Sequence, residues 1–143
     1  MIPKKHSEIS WVKFNSLAQK LVGKPYIFGA ETDLKDPDPA HIKSLDCSEL
    51  CEWLFAQIGI IVPDGSYNQF KISSPIKGEP IIGDMGFKWI PETEVVHHVG
   101  IFLVSDVIEA KGKAYGTVLT PRKWFEGSSH FAMWRRLNAI HDA

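Results

Sequence analysis

About halfway along the chain the hydrophobic period changes, and that change limits the fold more than any other feature of the sequence. In the first half, apolar residues recur at helical spacing. Trp11, Phe14, Ala18, Leu21 and Val22 form one stripe with Lys13, Asn15 and Lys20 off it, which predicts an amphipathic helix over residues 7–22. Gly23 and Pro25 supply its stop signals. A second helix is predicted from Cys47 to about Gln57, with Trp53, Leu54 and Ile58 inward and Glu52 facing water. Pro63-Asp64-Gly65-Ser66 reads as a turn, residues 66–70 as one helical turn, and residues 71–80 as irregular. From there the runs 81–89, 97–104, 107–111, 116–120 and 131–135 are short and strand-like, separated by turn residues. Helices first and strands after predict an α+β fold, with N-terminal helices on a small antiparallel sheet of about five strands.

The bulk numbers exclude several classes. With 143 residues, 44% of them apolar, the chain can bury a core of its own, so we expect one domain over residues 1–143 without disulfide staples. A net charge of -1 and no run of Lys or Arg exclude a broad basic patch, so no nucleic acid is expected as a partner. Two cysteines four apart do not make a disulfide framework. Residues 1–6 carry charge with no apolar run behind them, so no signal peptide is visible. No apolar run reaches membrane-spanning length, and no membrane partner is expected. The acids Asp33, Asp36 and Asp38, interleaved with Pro37 and Pro39, read as a solvated loop, since the ordered ligand series of a calcium loop is missing.

Leu45-Asp46-Cys47-Ser48-Glu49-Leu50-Cys51 joins that loop to the second helix. Asp46 suits an N-cap and Glu49 the first turn, which places Cys47 at the helix start. Unpaired backbone N–H groups and the helix dipole there favour negative charge on the sulfur, so Cys47 is a candidate nucleophile. The competing reading is a small buried hydrophobe. A thiol nucleophile needs a base, and the base an orienting group. In the strand 97–104, Val99, Ile101 and Leu103 share one face, while His98, Gly100 and Phe102 share the other. Gly100 leaves space beside His98, and His97 must point the opposite way. A turn near Val104-Ser105 would lay Val107-Ile108-Glu109 antiparallel, placing Glu109 opposite Gly100 and diagonal to His98. Taken singly, His98 reads as a hydrogen-bonded strand residue, Glu109 as a solvated acid and Tyr26 as a core aromatic.

Four segments in order resemble the NlpC/P60 cysteine peptidases, a papain-like clan of bacterial and phage cell-wall hydrolases. They are Gly23-Lys24-Pro25-Tyr26-Ile27-Phe28-Gly29, Leu45 to Leu50, Ile82-Gly83-Asp84-Met85, and His98-Val99-Gly100-Ile101-Phe102-Leu103. The resemblance implies that Cys47 attacks an amide carbonyl, with His98 as base and then as acid to the leaving amine. It puts Tyr26 in the substrate-binding or oxyanion set, together with Asp46, Ser48 and Glu49. Glu109 falls where the family usually has His, Asn or Gln, and Glu49 replaces the usual Gly after the Cys-Ser pair. The 111–116 stretch is expected to loop near the cleft, where its cations can meet substrate carboxylates. Such enzymes typically cut the D-glutamyl–diamino acid bond of peptidoglycan stem peptides. The implied protein is a monomer with no cofactor and no metal. It would be cytoplasmic or phage-associated and act on the cell wall after release or delivery.

Three rival readings stand beside this one. A zinc site would use Cys47, Cys51, His97 and His98, against which count the opposed histidines and the unusual Cys-x-x-x-Cys spacing. Cys51 reads better as a buried core thiol. A non-catalytic wall-binding or phage structural module could keep the fold. An amidase or acyltransferase of the same clan would use the same thioester with another acceptor.

Overall fold

The computed structural model describes residues 3–128 and 130–141. In chain order its elements are β1 (Lys4–Lys5), α1 (Trp11–Leu21), α2 (Cys47–Ala56), α3 (Ser66–Lys71), β2 (Ser73–Pro75), β3 (Met85–Ile90), β4 (Val95–Phe102), β5 (Asp106–Ala110), β6 (Thr117–Pro121), α4 (Arg122–Glu126), β7 (Phe131–Leu137) and β8 (Ile140–His141), with 3-10 turns at His6–Glu8 and Pro39–His41. The described residues form a six-stranded antiparallel sheet in the order β2-β7-β3-β4-β5-β6. β1 lies parallel to β8 and ties the two ends of the chain together.

The α+β plan follows the change of period. The sixth strand, β2, lies in the stretch read as irregular. It is three residues long, includes Pro75 and pairs at the sheet edge, too short to show an alternation and placed where proline is tolerated. Helix α1 begins at Trp11 rather than Ser7. Ser10 caps it by accepting from the Lys13 backbone N–H, and the Trp11 indole donates back to the His6 carbonyl at 2.9 Å. Phe14, Ala18 and Leu21 are buried, whereas Val22 has left the helix and is 43% exposed.

Helix α2 is the buried centre. Leu50, Cys51, Trp53, Leu54 and Phe55 are completely covered, and Trp53 also donates its indole N–H to the Asp36 carbonyl at 3.0 Å. Truncating such a residue to alanine costs about 3–5 kcal/mol. Against this side of the sheet lie Met85, Phe87, Val99, Ile101 and Ile108, all fully buried. A smaller cluster of Phe102, Val107, Phe125 and Trp134 lies apart from that core. Gly86 and Gly100 face each other across β3 and β4, and a Cβ on either would come within 2.6 Å and 3.0 Å of the Phe125 ring. The room that Gly100 leaves beside His98 is therefore taken by the ring of Phe125 from α4.

The acidic loop uses its carboxylates on itself. Asp33, Asp36 and Asp38 accept from the backbone N–H groups of Lys35, Asp38 and Ala40 at 2.9–3.0 Å. Asp36 also meets His41 at 2.7 Å. Among the described residues no helix is long and apolar enough to cross a membrane.

Candidate active site

Two backbone hydrogen bonds set the position of the thiol. Leu45 N–H donates to Pro25 O at 2.9 Å and Ile27 N–H donates to Leu45 O at 3.2 Å, so the segment bearing Tyr26 lies along the one leading into α2. Asp46 then starts the helix. Its Oδ1 accepts from Glu49 N–H at 2.8 Å and from Ser48 Oγ at 3.2 Å, and its Oδ2 accepts from Gly29 N–H at 3.0 Å. An N-cap of this kind contributes about 1 kcal/mol and fixes where the first turn begins. Cys47 is the first residue of that turn and is half-buried. Burial pushes the Tyr26 phenol above 10.0, and negative charge at Cys47 and Asp46 adds to it, which places the phenol in the field of the thiol.

His98 sits on β4 directly opposite Lys88 of β3. The β4–β5 register pairs Ile101 with Ile108 and Phe102 with Val107, which brings Glu109 of β5 beside the His98 end of the pairing. His98 Nε2 meets Glu109 Oε1 at 2.8 Å, with the two side chains 14% and 1% exposed. Burial alone would lower the His98 pKa, but Cys47 and Glu109 outweigh it and carry it from 6.5 up to about 9. That difference corresponds to roughly 3 kcal/mol in favour of the charged ring. Burial would likewise raise Glu109, yet the hydrogen bond and charge of His98 hold it below 4.5. Glu109 is therefore an ionised acceptor that fixes the proton on Nε2. Nδ1 is left as the nitrogen that serves the thiol.

Two clefts meet here. One, of about 380 Å³, is lined by Cys47, Phe28, Gly29, Asp46, Ser48 and Asp64. The other, of about 350 Å³, is lined by His98, Lys88, Lys111, Glu109 and His130. Tyr26 and His97 border both. The presence of His97 corrects the strand alternation. The register slips between Lys88 paired with His98 and Trp89 paired with Val96, so His97 is the extra residue of a β-bulge and shares the cleft with His98. The objection to zinc based on opposed histidines therefore falls, although Cys51 is completely buried in the core.

Glu49 is corrected as well. It does not line either cleft: its carboxylate accepts from the Thr32 backbone N–H at 2.8 Å and from Thr32 Oγ1 at 2.6 Å. Glu52 does not face water either. Glu49, Glu52 and Asp64 offer oxygens within 4.8 Å of one another, the single such trio of ligating groups among the described residues. Burial first, then Glu49 and Asp64, pushes Glu52 up to about 9, so at neutral pH the trio holds a proton. The spacing of Glu49 and Glu52, three apart on a helix, was the available signal for this cluster. For His130, which meets His97 at 3.3 Å, the sequence carried no signal.

This fold recurs among solved structures. A lipoprotein-like NLP/P60 protein from Staphylococcus aureus matches at 24% identity and TM-score 0.70, over 98% of this chain and 44% of that one. The P60 domain of an antigen from Mycobacterium avium subspecies paratuberculosis matches at 23% identity and TM-score 0.66, over 89% and 93%. The peptidoglycan hydrolase RipB of Mycobacterium tuberculosis matches at 22% identity and TM-score 0.66, over 88% and 63%. The chain thus spans less than half the length of the staphylococcal protein. No curated protein sequence matches it. The sequence model of the NlpC/P60 family covers residues 23–130, from the glycine before Tyr26 to the histidine beside His97. By that match, on a papain-like α+β architecture, the chain belongs to the NlpC/P60 family.

Proposed function

We propose that the protein is a thiol-dependent hydrolase of peptide-type amides in peptidoglycan stem peptides, with the D-glutamyl–diamino acid bond as its target. The observation that carries this reading is the meeting of a half-buried thiol at a helix start with an imidazole held by a buried carboxylate at 2.8 Å. The substrate class rests on family membership and on relatives described as peptidoglycan hydrolases.

In the proposed reaction the proton already rests on His98 Nδ1, paired with the sulfur of Cys47, and that sulfur adds as thiolate to the amide carbonyl. The carbonyl electron pair moves to oxygen, where backbone N–H groups of the first turn of α2 and the Tyr26 hydroxyl face it. As the C–N bond breaks, imidazolium His98 gives its proton to the departing amine, leaving a thioester on Cys47. Water then loses a proton to His98, adds to the thioester, and releases the acid and the thiolate. Glu109 holds the ring and its charge throughout. Asp46 and Ser48 shape the cleft wall rather than carry protons.

Incubation with defined stem peptides, followed by mass spectrometry of the fragments before and after thiol alkylation, tests this. The expected result is a single new amine and acid, lost on alkylation. Cleavage that survives alkylation or a Cys47→Ala substitution would refute it.

A further inference from the structure

The two halves of the groove differ in charge. On the Cys47 side the charged groups lining the wall are Glu31, Asp46 and Asp64. On the His98 side they are Lys88, Lys111 and His98, beside the rings of His97 and His130, with one acid, Glu109, already engaged by His98. Among the described residues neither Lys88 nor Lys111 has a carboxylate within ion-pair distance. Instead Lys88 Nζ lies 4.4 Å from the centre of the Phe125 ring and Lys111 Nζ lies 4.8 Å from that of Tyr115. An aromatic face holds a cation without neutralising it. β3 supplies the reason they converge: its register with β4 slips after Lys88, and its register with β7 slips just before it. The first slip leaves His97 and the second Ala132 as the extra residue, and the His97 ring meets that of His130 at 3.3 Å.

We propose that the His98-side cleft is a carboxylate-recognising subsite for the leaving half of the substrate, read by Lys88 and Lys111. This rests on the hydrolase reading above. In that reaction the departing nitrogen takes its proton from His98, so the group attached to it lies on the His98 side. A carboxylate on the residue just after the scissile bond would enter between two lysines that make no ion pair among the described residues. The mutual repulsion in the cleft is visible in its groups. Burial, then the charges of His98, His130 and Lys88, hold His97 below 6.5. Lys88 is lowered from 10.5 by burial and by Lys111, against the opposing pull of Glu109.

Two peptides with the same acyl half test it, one ending in lysine with a free carboxylate directly after the scissile bond and one ending in lysinamide. The expected result is a kcat/KM at least about tenfold higher for the carboxylate, shrinking as salt is added. In Lys111→Met and in Lys88→Met the ratio moves toward one, and further in the double variant. Equal rates in the wild type, or an unchanged ratio in the double variant, would overturn the subsite. A parallel titration of the protein with free lysine and lysinamide, followed on the His97 and His130 ring signals, separates the two proposals. Shifts with lysine alone and no hydrolysis of either peptide would keep the subsite and remove the hydrolase. Identical responses to both ligands would remove the subsite.

Discussion

His98 meets Glu109 at 2.8 Å and His41 meets Asp36 at 2.7 Å, yet the two pairs live in different media. The first has side chains 14% and 1% exposed, with a thiol as a third neighbour. The second sits on the acidic loop at 66% and 31% exposure, where Asp36 also holds a backbone N–H. In both, the imidazole is pushed above 6.5, for His98 against the cost of burial and for His41 chiefly by its hydrogen bond to Asp36. Water and salt screen the exposed pair, while the buried pair keeps its field. Distance alone therefore does not mark a catalytic pair. Burial, and what the second ring nitrogen faces, do.

The strongest way to break this contrast is to remove the third neighbour or the ring. Cys47→Ser and His98→Ala should each abolish turnover of stem peptides as followed by mass spectrometry, whereas His41→Ala should leave it intact. Glu109→Ala should reduce kcat by about 10- to 1000-fold, since it removes the group that orients the ring rather than the ring itself. Its effect should exceed that of Asp36→Asn, which should not register in the same assay.

The pH dependence sharpens the contrast. Above about 9 His98 loses the proton it gives to the leaving amine, so kcat/KM should fall there. The linkage to stability has a definite sign. A folded pKa of about 9 against 6.5 means a contribution fully present below 6.5 and lost as pH rises through 9. Glu109, lowered from 4.5, contributes above that value and ceases to as pH falls below it. Thermal melts at stepped pH should show the alkaline loss in wild type and a flatter curve in His98→Ala. Glu52 is shifted further but is only half-buried, so solvent screens much of its effect. Its carboxyl keeps a proton up to about 9 that the unfolded chain loses near 4.5, so it costs stability as pH rises between them. Glu52→Gln should flatten that slope, read from the same melts.

The sequence made the α2 start, the β4–β5 turn and the meeting of His98 with Glu109 legible because each follows from a local rule. Capping, alternation and register need only neighbours in the chain. Bulges do not: the slip that brings His97 into the cleft depends on how β3 is shared by β4 and β7. Gly100 was visible as a missing side chain, but the Phe125 ring that fills the gap comes from 25 positions later along the chain. The family motif places Glu49 beside Cys47 and periodicity places Glu52 toward water, and neither rule reports what a side chain meets from elsewhere in the chain. Their real partners, Thr32 and Asp64, come from loops.

The central claim is that His98, unlike His41, is held charged at neutral pH by a buried carboxylate and a thiol. Titrating both rings in one series of heteronuclear NMR spectra tests it directly. The account predicts a midpoint of about 9 for His98, falling when Glu109 is replaced by alanine or Cys47 by serine, while His41 ignores both changes and responds instead to added salt. A His98 midpoint near 6.5 in the wild type, unmoved by either substitution, would contradict it.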